Sequence, residues 1–156
     1  MKDRIEGVPS LGEIGLANYP PYLMNRIMGR YNASIRAEMA KLGLTTPKMR
    51  ALAVLSVKDG LLISQLAVHA IVEQSTLSRA LDALQVDGLI RRETDSDDSR
   101  ATRVFITDAG RGAFETLWPH MAESYLAMFR GVSEEEERAF VATLQKIHAN
   151  IRKHDF

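Results

Sequence analysis

The side chains best suited to recognition chemistry stand close together, at Gln74, Ser75, Thr76, Ser78 and Arg79. An amide, three hydroxyls and a guanidinium form a set of short donors and acceptors beside a forked cation. That is the chemistry of hydrogen bonding to base edges in a nucleic-acid groove, not of bond cleavage. Catalytic groups are missing: the chain has no glycine-rich phosphate loop, no GxSxG turn and no close acid pair in an apolar setting, so it is not expected to be an enzyme. The histidines, His69, His120, His148 and His154, never stand four apart on one helix as a metal pair would. With no cysteine, disulfides, thiolate zinc sites and thiol redox sensing are excluded, and no cofactor is expected.

These polar residues must be carried by an element that faces two ways. Leu77, Leu81 and Leu84 recur at helical spacing, while the polar set, with Asp82 and Gln85, fills the other side, which predicts an amphipathic helix. Gly88 stands where a left-handed residue would close it. Leu89 and Ile90, then Val104, Phe105 and Ile106, bracket a run of Asp and Ser and predict a hairpin with a polar tip. Upstream, Ser64 is expected to cap a brief helix burying Leu66, Ala67 and Ala70, with 71–73 as the turn and 61–63 as a short strand against the hairpin. Helix, turn, helix and hairpin together make a winged helix-turn-helix.

The stretch STLSRALDALQVDGLIRRETDSDDSRATRVFITDAG, residues 75–110, resembles the recognition helix and wing of the MarR (multiple antibiotic resistance regulator) family of bacterial transcription regulators. The wing signature is carried by Asp98, Arg100, the apolar run Val104 to Ile106, Thr107 and Gly110; Ser99 departs from it, standing where members often carry a basic residue. The likeness extends more loosely over residues 20–151. It implies a mainly α fold with a small β-wing, the winged domain being flanked by N- and C-terminal dimerisation helices. It also implies a homodimer bound to double-stranded DNA at a palindromic operator, a repressor released by a small molecule. The DNA-contacting set is then Gln74, Ser75, Thr76, Ser78 and Arg79 on the helix, and Asp98, Arg100 and Arg103 on the wing, with Asp98 holding the Arg100 guanidinium as it enters the minor groove. Family members often bind aromatic or anionic effectors in a cleft between dimer helices and winged domain. Met28, Arg30, Tyr31, Arg50 and Trp118 are the candidates here, Arg30 or Arg50 pairing with a carboxylate. The alternative is a winged-helix protein-interaction module that binds no DNA.

That alternative draws on charge. The chain is neutral, with 20 basic and 20 acidic side chains. Residues 22–58 are strongly basic, whereas residues 73–106 set five arginines against seven acids. A slightly acidic reading head argues against indiscriminate DNA binding and leaves a site-specific mode.

At 156 residues the chain is expected to be one domain, 1–156, with an arm at 1–19, dimerisation helices at 20–43 and 111–156, and the winged region at 44–110. The arm, rich in Gly, Pro and charge, is expected to order only against a partner. Pro20 and Pro21 open a long helix ending at Gly43; Thr46 with Pro47 opens the next; Thr107 with Asp108 opens another that Pro119 should kink and Gly131 should end; Ser133 with Glu136 forms a capping box for the last. The apolar stripes at the two ends exceed what one small winged domain can cover, which predicts their burial against a second copy. No run is long and apolar enough for a membrane span and the N-terminus lacks a secretory layout, so a cytoplasmic protein without a membrane partner is expected.

Overall fold

Helix starts in this chain are set by proline and short polar caps, and these decide which apolar faces meet. The computed structural model describes residues 7–156. Ser10 caps a single turn, α1 (Leu11–Ile14), accepting from the Glu13 amide while the Glu13 carboxylate accepts from the Ser10 amide at 2.7 Å. A 3-10 turn (Leu16–Asn18) follows and packs against the next helix. This differs from the expectation of an arm ordered only by a partner, because the capping box satisfies backbone groups locally; the arm's first six residues lie outside the described ones.

Helix α2 (Pro20–Lys41) starts on its two prolines, whose missing amides lie where a helix has no use for them. Its second half buries Ile35 and Met39, whereas Leu23, Ile27 and Met28 in its first half remain exposed. Helix α3 (Thr46–Val57) is entered from Thr45, not Thr46, so Pro47 occupies the second helical position. The short strand β1 (Leu61–Leu62) leads into α4 (Ile63–Ala70). Leu62, not Ser64, is the residue flanking α4, and the Gln65 side chain accepts from the Leu62 amide at 3.1 Å.

Helix α5 (Gln74–Val86) turns at Gly88, φ +73°, into β2 (Ile90–Thr94) and β3 (Thr102–Ile106). The sheet order is β1-β3-β2, all antiparallel, with Leu61 opposite Val104, Ile90 opposite Ile106 and Thr94 opposite Thr102. Fully buried Leu52, Leu55, Leu66, Leu77, Leu81, Leu84, Val104 and Leu117 join α3, α4, α5, β3 and α6 (Asp108–Met128) in one core. That core holds the leucine stripe of α5 inward and its polar side outward.

Thr107 caps α6, its hydroxyl accepting from the Gly110 amide at 3.1 Å. The helix runs through Pro119 as one element and stops at Met128, before Gly131. Helix α7 (Glu134–Ile151), capped by the Ser133–Glu136 box, buries no residue; Phe140, Val141, Ile147 and Ile151 are exposed. Among the described residues no helix is long and apolar enough to cross a membrane. The architecture is mainly helical with a small three-stranded wing and long terminal helices.

Candidate nucleic-acid interface

The outer side of α5 carries the residues singled out by their chemistry. Gln74, Ser75, Thr76 and Arg79 are exposed and Ser78 is half-buried, while Leu77, Ala80, Leu81 and Leu84 anchor the inner face. Asp82, three residues after Arg79, does not pair with it. Instead its Oδ1 lies 2.8 Å from Nη2 of Arg92 on β2, and Arg92 Nε also donates to Gln85. Arg92 thereby ties the wing to the reading helix, and Arg79 has no hydrogen bond or ion pair among the described residues.

The wing is organised by a residue the sequence reading missed. Asp95 is buried, 9% exposed, at the start of the hairpin tip. Its Oδ1 takes a charge-assisted bond from Arg103 Nε, and its Oδ2 accepts from the amides of Asp97 at 3.2 Å and Asp98 at 3.1 Å. The Asp95 amide donates to the Ala101 carbonyl at 2.9 Å, closing the tip. The bond from Arg103 is the main cause holding the Asp95 carboxyl below the usual carboxylate range; burial opposes it and the two amides assist.

Two expectations about the wing change. Asp98 does not hold the Arg100 guanidinium: its Oδ1 accepts from the Arg100 amide at 2.9 Å, because a carboxylate two residues back reaches a turn amide with less chain to order than a long side chain requires. Arg103 also has an internal role: besides Asp95 it donates through Nη1 to the Gly60 carbonyl at 2.8 Å, fastening the wing to the loop before β1, while its side chain stays 39% exposed. Arg91 is likewise occupied, pairing with Glu93 and lying 4.3 Å over the Phe105 ring. The Arg100 guanidinium remains exposed, with no partner among the described residues.

The five residues expected to form an effector pocket are split between separate places. Arg30 and Tyr31 line a cleft of about 780 Å³ with Tyr22, Arg26 and Ser34 of α2, Ser124 of α6 and Leu16 of the arm. There Arg26 Nη1 donates to the Tyr22 hydroxyl at 2.9 Å and Ser34 Oγ to Ser124 Oγ at 2.8 Å, while burial raises the Tyr31 hydroxyl above its ordinary range. Met28 does not line it; Ile27, Tyr31 and Ser34 share a helical face, and the next residue after Ile27 is turned about 100° away. Arg50, on α3, donates to the Ile71 carbonyl at 3.2 Å and braces the turn between α4 and α5. Trp118 sits with Phe114, ring centroids 6.3 Å apart, in a separate recess of about 500 Å³ between α3 and α6. No cluster of three His, Asp or Glu able to hold a metal occurs among the described residues.

The MarR family profile matches residues 42–101, from the end of α2 to the wing tip. A crystal structure of a MarR family transcriptional regulator from Silicibacter pomeroyi is 60% identical, covers 95% of this chain and 100% of its own, and superposes with a TM-score of 0.91. The HTH-type transcriptional repressor IacR of Pseudomonas putida is 27% identical over 143 residues, 92% of this chain and 86% of that protein. BpsR of Bordetella bronchiseptica, whose DNA binding is regulated by 6-hydroxynicotinic acid, is 22% identical with a TM-score of 0.70, covering 82% of this chain and 97% of its own, and shares the fold. An exposed helix braced by a wing, in a chain that follows the Silicibacter regulator along nearly its whole length, settles the family: this protein belongs to the MarR family of DNA-binding transcription regulators.

Proposed function

We propose that the protein acts as a homodimeric repressor at a palindromic operator, α5 entering the major groove of each half-site and the wing tip the adjacent minor groove. One observation carries this reading. Of the five arginines between residues 73 and 106, three are spent internally, Arg91 on Glu93, Arg92 on Asp82 and Arg103 on Asp95. The two without partners among the described residues are Arg79 on the outer side of α5 and Arg100 at the wing tip, the positions where a groove-binding cation is useful. Three of the seven acids of the reading head thus neutralise its structural arginines, and leave Arg79 and Arg100 as the cations that can reach a duplex.

Residues 20–43 and 111–156 serve as dimerisation helices in this reading. The exposed Leu126, Phe140, Val141 and Ile151 supply apolar surface that a second copy would cover. Twofold symmetry then sets two copies of α5 on one face of the duplex, and the work is done at the chromosome, in the cytoplasm.

The cleft between α2 and α6 is the effector site in this proposal. Two arginines and no acidic residue line a mostly apolar wall, which suits an anion with an apolar body. The repressor name of IacR and the response of BpsR to 6-hydroxynicotinic acid support release by such a ligand. Selection from a randomised duplex pool tests the assembly: inverted half-sites centred about 10 base pairs, or a multiple, apart are expected, and an asymmetric site contradicts the dimer reading. For the cleft, 6-hydroxynicotinate is the first probe of release from the selected duplex, followed by other aryl carboxylates. Release that survives Arg26→Ala and Arg30→Ala would move the effector elsewhere.

A further inference from the structure

The turn between α4 and α5 holds the one non-glycine residue with a left-handed backbone among those described, Ile71, at φ +56° and ψ +50°. Every other positive-φ position in the described chain is glycine. A left-handed conformation is strained for any side chain and most of all for a β-branched one, so packing or function must hold it there. Packing does not supply the reason. Val72 is the turn residue packed against the core, whereas Ile71 is 78% exposed. The turn itself needs only the backbone: the Ile71 amide donates to Val68 at 3.2 Å, the Val72 amide to Ala67 at 3.1 Å, and Arg50 grips the Ile71 carbonyl at 3.2 Å. Glycine or asparagine would make the same bonds with less strain.

The position explains what the backbone does not. Ile71 lies three residues before Gln74, the first residue of α5, and so borders the same end of the helix as Ser75, Thr76 and Arg79. We propose that Ile71 is a further DNA-contacting residue, its strained and Arg50-clamped turn presenting an apolar side chain to the duplex at the edge of each half-site. Two apolar groups of DNA match it, the thymine methyl in the major groove and the deoxyribose of the backbone. Strain kept at a surface position that a neutral residue would relieve is a signature of a functional site. This inference rests on the DNA reading of α5.

The test separates stability from binding, using the full-length protein and a duplex selected by the wild type. Ile71→Gly and Ile71→Asn should leave Tm unchanged or raise it by about 1–4 °C, and both should weaken binding by about tenfold, roughly one buried methyl group at each half-site. Ile71→Val should keep the affinity. Replacing thymines by uracil one at a time assigns the contact: a position at which the wild type loses affinity and Ile71→Gly does not identifies a methyl group, and a flat scan with the variant still weakened identifies the sugar. Glycine and asparagine variants that bind as the wild type does, or that lose Tm and affinity together, overturn the proposal. Arg79→Ala measured alongside distinguishes failures, because if it too binds unchanged, the placement of α5 is at fault and not Ile71 alone.

Discussion

Replacing Gly110 or Gly112 by alanine, two positions apart near the start of α6, should move stability in opposite directions. In a bare helix both changes help, by about 0.5–1 kcal/mol, because alanine loses less backbone entropy than glycine. At Gly112 nothing lies within 4 Å of the added Cβ, so that gain stands and Tm should rise by about 1–4 °C. At Gly110 the Cβ would lie 2.1 Å from the Leu89 carbonyl oxygen, 3.0 Å from its carbon and 2.8 Å from Ile106 Cγ1. Two of these are backbone atoms, and the oxygen already accepts from the Thr107 amide at 3.1 Å, so no rotamer change relieves the overlap. Overpacking at such a contact costs about 3 kcal/mol and the disturbed hydrogen bond about 1 more, against about 1 returned by helix propensity. The net loss, about 3 kcal/mol, corresponds to a fall of about 6–12 °C in Tm. Circular dichroism melts of the two variants beside the wild type give the answer. A rise in Tm for Gly110→Ala would refute the close approach of α6 to the β2 entry, and with it the physical reason for glycine three residues after Thr107.

Three further outcomes are expected. Asp95 has its carboxyl held below the usual range, so its contribution is complete above the unfolded value near pH 4 and is lost as pH falls below that; melts between pH 6 and 3 should show a smaller acid-side loss for Asp95→Asn than for the wild type. Arg103→Ala should lower Tm by unfastening the wing from the Gly60 loop yet leave the salt dependence of operator binding unchanged, and a reduced salt slope would return Arg103 to the DNA. Truncation after Gly131 removes α7 and should convert the dimer to a monomer in light scattering at micromolar concentration; a dimer persisting without α7 would assign the interface to α2 and α6 alone.

What was legible in the sequence was local in origin. The leucines of α5, Gly88 after it, the Thr107 cap and the Ser133–Glu136 box all act over a few residues, and each stands where its spacing predicted. The Ser10–Glu13 box has the same signature, but with a single helical turn behind it and glycines around it, sequence pattern alone predicts an arm that orders only against a partner. Two adjacent threonines obscured which one precedes α3. The wing failed for a different reason. Seven acids are interchangeable by type, and which of them is buried, and that Arg103 binds both it and the Gly60 carbonyl 43 residues away, is decided by tertiary contacts that no local spacing shows. The cleft failed in the same way: Arg50 and Trp118 lie on helices of the right kind, but which face of a helix meets which neighbour is decided by the packing of α3 and α6.

The central claim, that Arg79 and Arg100 are the cations left free for DNA, is tested most directly by the salt dependence of binding to a selected duplex. Affinities of the wild type, Arg100→Ala and Arg79→Ala would be measured between about 50 and 200 mM salt. Arg100→Ala should keep the wild-type Tm, bind more weakly and reduce the logarithmic salt slope by roughly one unit per wing. Arg79→Ala should cost about 1–3 kcal/mol at the selected site and relax preference at one base position per half-site. Wild-type slope and affinity in both variants, or a fall in Tm accounting for the loss, would contradict the assignment.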